Sequence, residues 1–254
     1  MKIGVCGSVD RAPIIKKLGY DYIEESLSEI ACLTEEEFDE RARTYEKIDL
    51  PVYAFNFFFP LGMPLYEENP FAELNAYAEK AFSRARILGG RICVLGSGGV
   101  RKLSEGVSRE YADARLAEVL SSFGDIAEKY GLRIAIEPLN KGECNYINTF
   151  AEAAAISKRS HRKNVGALVD FYHFYLENES EANLQKDADC LFHAHLARPN
   201  IDRLVPKEED GETVTHWASV LKKIDYNAAI SLEAAYENFE EDLTNAKPFM
   251  ELFR

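Results

Sequence analysis

The sequence predicts a single (β/α)8 barrel, one domain over residues 1–254. Short β-branched or aromatic runs alternate with longer amphipathic, charge-laced stretches from one end to the other. There are eight such runs, spaced by about 32 residues, which is room for one strand, one helix and two short connections. No low-complexity linker interrupts the series, so no domain boundary is placed.

The strands are expected at Lys2–Gly7, Tyr20–Ser26, Pro51–Phe59, Arg91–Gly96, Leu132–Leu139, Asn164–Phe171, Leu191–Ala197 and Ala228–Ala234. Helix starts are marked between them. Thr34-x-x-Glu37 and Thr149-x-x-Glu152 read as capping boxes, in which side chains satisfy orphaned amide donors, and Asn238-x-x-Glu241 resembles one. Gly19, Gly90 and Gly131 stand where helices should end, a position that favours a left-handed backbone. Two connections are long, Pro60–Pro70 and Arg198–Val214, and long loops on one side of a regular scaffold often carry function.

Composition narrows the partners. Hydrophobic residues make up 46% and charged residues 29% of the chain, with 30 basic against 43 acidic groups and a net charge of −13. That balance disfavours a nucleic-acid or anionic-membrane surface. No run reaches the roughly 18 apolar residues that a membrane span requires. The start, Met1–Gly7, reads as a strand and not as a secretion signal. Cys6, Cys32, Cys93, Cys144 and Cys190 are scattered and odd in number, which fits a reducing, cytoplasmic compartment better than a disulfide scaffold.

Four apolar runs end in an unusual polar residue: Ile134-Ala135-Ile136-Glu137, Ala167-Leu168-Val169-Asp170, Phe192-His193-Ala194-His195 and Ile230-Ser231-Leu232-Glu233. Successive members are 33, 25 and 38 positions apart, again one βα unit. In a closed parallel barrel the strand ends converge on one face, so the four groups should meet. Three carboxylates crowded together repel unless one is protonated or a cation lies between them. A donor set of oxygens with one imidazole suits Mn²⁺ first, with Mg²⁺ or Co²⁺ plausible and Zn²⁺ less favoured without thiolates. Taken singly, each residue has a plainer reading as a helix cap, a turn acceptor or a core histidine. Four coincidences at one period favour the metal site.

At these motifs the chain resembles the xylose-isomerase-like barrels of sugar and sugar-phosphate isomerases and epimerases. The matching segments are Glu137-Pro138-Leu139-Asn140, Asp170-Phe171-Tyr172-His173, His193-Ala194-His195 and Ser231-Leu232-Glu233. The resemblance implies a divalent metal on Glu137, Asp170, His195 and Glu233. In its ketose 3-epimerase branch it implies that Glu137 and Glu233 also exchange protons with the substrate, and that Glu143 and His173 hold hydroxyls. The arginine of that branch would fall at Ile201, with Arg198 and Arg203 nearby; Arg203 is taken as the substrate-binding one. Dimers or tetramers are the implied assembly, and a small sugar or sugar derivative the implied partner.

The chemistry fits the residue types, because a proton beside a carbonyl becomes removable only where the resulting enediolate is stabilised. A second enzyme reading keeps barrel and metal but eliminates across a neighbouring bond, as inosose dehydratases and C-glycoside deglycosidases do. A non-catalytic sugar-binding barrel is a third reading. Endonuclease-type repair fits least, with only five histidines and a charge of −13.

Further expectations are local. In Gly96-Ser97-Gly98-Gly99-Val100-Arg101, backbone amides, Ser97 and Arg101 could hold a phosphate or a sugar hydroxyl, or the segment is a plain turn. Asn56 and the aromatics Phe57, Phe58 and Phe59 are expected at the pocket wall, with alternate residues facing in and out. His193 is expected to point away from the barrel axis unless a bulge intervenes, Cys144 to line the pocket, His216 to open a helix, and His161 to be solvated.

Overall fold

The computed structural model describes residues 1–67 and 70–254. Of the two long connections, Pro60–Pro70 includes Glu68 and Asn69, which lie outside the described residues. Eight strands close into a parallel barrel in sequence order: β1 (Lys2–Cys6), β2 (Tyr22–Ser26), β3 (Val52–Asn56), β4 (Ile92–Leu95), β5 (Arg133–Ile136), β6 (Val165–Asp170), β7 (Leu191–Leu196) and β8 (Ala229–Leu232). The expected runs are all present, each trimmed at its ends. Around them lie α1 (Ala12–Lys17), α2 (Leu27–Cys32), α3 (Glu35–Ile48), α4 (Phe71–Ile87), α5 (Gly98–Arg101), α6 (Arg109–Lys129), α7 (Phe150–Arg159), α8 (Phe171–Leu176), α9 (Glu181–Lys186), α10 (Gly211–Lys223) and α11 (Phe239–Glu251). No helix among the described residues is long and apolar enough to cross a membrane.

Side-chain alternation along each strand divides the core in two. Ile134, Ile136, Ile230 and Leu232 face outward into the large core beneath the helices. Ala135, Leu168, Ala229, Tyr22 and Val94 fill the barrel interior. Carrying the same alternation one residue past β5 and β8 turns Glu137 and Glu233 inward. Two strands carry an extra residue. Ile23 pairs with Val52 and Glu24 with Ala54, which leaves Tyr53 of β3 unmatched, while Ala167 pairs with Leu191 and Leu168 with His193, which leaves Phe192 of β7 unmatched.

The helix signals divide. Thr34 and Glu37 form a complete capping box. Thr149 accepts from the Glu152 amide, but the Glu152 carboxylate takes the amide of Asn148 instead. Asn238 does not cap; the amides of Glu237 and Asn238 are received by the Asp242 carboxylate. At the end of α4 the left-handed residue is Gly89 at φ 100° and not Gly90. The second long connection contains a single turn of 3-10 helix at Glu208–Asp210 and the first turn of α10. His216 sits inside α10 and bonds Glu181, so it does not open that helix.

Candidate metal centre

Four strand ends place one donor atom each from Glu137, Asp170, His195 and Glu233 within 4.8 Å of one another. His195 Nδ1 lies 3.3 Å from Glu137 Oε1 and 2.9 Å from Glu233 Oε2. The opposite ring nitrogen, Nε2, lies 3.0 Å from Glu24 Oε1. This donor set fits a divalent cation: three anionic oxygens and one imidazole nitrogen converge, and the far side of the imidazole is braced by a carboxylate.

The protonation pattern follows from burial and neighbours. Burial and the Glu233 charge both raise the pKa of Glu137. Burial opposes the charge of Glu233 too, but His195 and Arg203 outweigh it and hold this carboxyl well below the usual range. For His195, burial disfavours the cation, yet Glu24 and Glu233 raise its pKa well above that of free imidazole. Thus Glu137 and Glu233, nominally the same side chain, differ in protonation tendency because His195 and then Arg203 act on Glu233, while burial and the Glu233 charge prevail at Glu137.

Arg203 comes from the long connection after β7. Its backbone has φ 52°, and it is pinned beside the end of β8 by the Ala235 amide, which donates to its carbonyl at 2.8 Å. Its Nη2 donates to Asp170 Oδ2 at 2.8 Å and to Glu233 Oε2 at 2.5 Å, and the guanidinium lies over the Tyr172 ring. Asn56 donates to the other Glu233 oxygen at 3.0 Å. His173 Nδ1 accepts the Asn140 amide at 3.1 Å, so its Nε2 side faces Asp170 Oδ2 at 3.5 Å. Asn140 also donates to Glu143 Oε1 at 2.8 Å.

A cavity of about 980 Å³ opens above these groups, lined by Asn56, Ser97, Glu137, Glu143, Arg203 and Glu233, with Phe57, Phe59, Pro60 and Leu61 along one wall. Phe58 is absent from that wall. It is fully buried against Phe82 and Phe123, while Phe57, at φ 45°, is 63% exposed, because strand alternation has ended at Asn56.

Several expectations are corrected. Arg101 is fully buried and does not line the cavity; its guanidinium donates to the carbonyls of Gly96 and Glu137 and so shapes the floor of the loop. Ser97 does line the cavity, but its Oγ already accepts the Phe59 amide at 2.9 Å. Cys144 is buried with its thiol toward backbone carbonyls and lies outside the lining. Arg198 pairs with Asp202, Glu209 and Asp210 instead of entering the site. His193 points inward, like His195, because residues two apart on a strand share a face and the bulge precedes both. His161 is exposed as expected. The group missed altogether is Glu24, fully buried inside the barrel between both histidines. The carboxylate pair Glu24-Glu25 within an apolar strand was its only signal.

The closed parallel barrel carries an acidic, histidine-bearing cluster at its strand ends, and comparison narrows its class. Residues 13–253 match the family described as xylose isomerase-like TIM barrel, and the chain belongs to that family. An inosose isomerase of Bacillus licheniformis is 32% identical over 50% of this chain and 49% of its own length. The inosose isomerase of Bacillus velezensis is 27% identical over 87% of this chain and 80% of its own. Among solved structures, a D-allulose 3-epimerase from Methylomonas sp. in complex with D-allulose superposes with a TM-score of 0.84 at 19% identity, covering 100% of this chain and 97% of that one. That likeness concerns the fold.

Proposed function

We propose that this chain is a divalent-metal-dependent isomerase or epimerase of a keto sugar or sugar derivative, working by proton transfer beside the carbonyl. The observation that carries the reading is the convergence of Glu137, Asp170, His195 and Glu233 at one end of a sugar-sized and larger cavity. The names of the relatives, inosose isomerases and a D-allulose 3-epimerase, support it. Manganese heads the list of candidate ions because hard oxygen donors dominate the set. The five cysteines are unpaired, in keeping with a reducing compartment.

A bound dication supplies electrostatic stabilisation of the oxyanion that forms as the carbon-bound proton leaves. The residues do the rest. Glu233, kept ionised by Arg203 and oriented by Asn56, is the base that takes the proton. Glu137, which lines the same cavity, is the partner in the second proton transfer. Glu143, which lines the cavity, binds a hydroxyl, while His173 is buried outside the lining and braces Asp170 and Arg203.

The test is chelator-stripped protein incubated in deuterated water with D-allulose, D-fructose or an inosose, with and without Mn²⁺. Metal-dependent deuterium incorporation at carbon beside the carbonyl, with all substrate atoms retained, is the expected result. Loss of water or of an aglycone would transfer the reading to elimination, and the absence of metal binding would overturn it.

A further inference from the structure

We infer that Glu24 is a positioning residue that selects which nitrogen of His195 is offered to a cation, an inference that rests on the metal reading proposed above. Glu24 lies on β2, fully buried, across the barrel from β7. Its Oε1 faces His195 Nε2 at 3.0 Å, and its Oε2 faces His193 Nε2 at 2.8 Å. Oε2 also accepts from Ser231 Oγ at 2.5 Å, and that hydroxyl oxygen lies 2.8 Å from the Tyr22 hydroxyl.

An ionised carboxylate only accepts hydrogen bonds, so both imidazoles must carry hydrogen on Nε2 to use it. When His195 gives up one proton to take a cation, this leaves Nδ1 as the nitrogen with a free lone pair, and Nδ1 is the atom that faces Glu137 and Glu233. Ser231 and His193 hold the second oxygen, so the carboxylate cannot swing away from His195 without abandoning two further bonds. The register supports the assignment. With the extra residue of β7 at Phe192, His193 and His195 both project to the same side, one for each oxygen of Glu24.

Glu24→Gln keeps the shape but replaces one acceptor with an amide donor. Two Nε2–H groups can no longer both be received; the carbonyl stays where His193 and Ser231 both donate, so the amide faces His195, which must shift its hydrogen to Nδ1. The expected result is a loss of about 10- to 100-fold in Mn²⁺ and Zn²⁺ affinity by calorimetry, with the cooperative unfolding transition retained. A measurement on the unmutated protein runs beside it and does not depend on the variant folding. In the zinc-loaded form, long-range proton–nitrogen correlation of His195 should show hydrogen on Nε2 and metal on Nδ1.

Zinc on Nε2 would overturn the inference, as would wild-type affinity in the Gln variant. So would a thiolate charge-transfer band with Co²⁺, because Cys6, Glu24 and His195 also bring donor atoms within 4.8 Å of one another and would then be the true site. If the wild-type protein takes up neither ion, the metal reading itself falls and this inference with it. If it takes up both and Glu24→Gln matches it, only the role of Glu24 is lost.

Discussion

Replacing Arg203 with Met tests whether the crowded carboxylates need a cation. The guanidinium sits 2.8 Å from Asp170 and 2.5 Å from Glu233, and the three side chains are 24%, 1% and 17% exposed. Removing one partner of a buried ionic cluster costs about 3–5 kcal/mol, and the partial exposure of Arg203 argues for the lower end, about 3 kcal/mol. For a chain of 254 residues that corresponds to a fall of roughly 6–12 °C in the unfolding midpoint of metal-free protein. A dication bound among the same carboxylates supplies the missing positive charge, so the loaded variant should lose less than the stripped one. By linkage that difference must appear as tighter metal binding, about tenfold for each 1.4 kcal/mol regained. Calorimetric unfolding of both proteins in chelator and in excess Mn²⁺, with a parallel metal titration, gives all four quantities. An unchanged midpoint in chelator, or an equal metal-induced rise in both proteins, would refute the reasoning.

Three further outcomes are expected. Glu137→Gln and Glu233→Gln should each lower deuterium exchange into substrate by about 10²- to 10⁴-fold while keeping the fold; near-normal exchange in either would remove it from the proton transfer. Metal affinity should rise with pH, because Glu137 and His195 both have raised pKa values in the metal-free protein and must give up protons to become ligands. Calorimetry in two buffers of different ionisation enthalpy will count the protons released, and a count of zero below neutral pH contradicts the assignment. Gly96→Ala would bring a Cβ to 2.3 Å from Glu137 Oε2 and must displace that carboxylate, so turnover should fall about 10²-fold with an unaltered circular dichroism spectrum.

The barrel was legible because its signals are local and repeated. Short apolar runs name strands such as Arg133–Ile136 and Ala229–Leu232, and the alternation of side chains inherent to any strand, carried one residue further, turns Glu137 and Glu233 inward. A spacing of about one βα unit puts the quartet at one height. His193 shares the inward face of His195, since a separation of two along a strand preserves the face. Arg101 and Cys144 escape that rule. Both follow strand ends, where the backbone leaves the regular pattern, and their direction depends on what the loop packs against.

What the amino-acid order determined by itself was the rhythm of eight units and the positions of four polar residues within it, because hydrophobic periodicity is a property of neighbours in the chain. Only the tertiary structure decided that Arg203 stands on Asp170 and Glu233, that Glu24 reaches both histidines, and that the two glutamates differ in proton affinity. Those contacts join residues 30 to 171 positions apart. Their energies depend on burial and on distances that closing the barrel creates, and no local pattern along the chain encodes them.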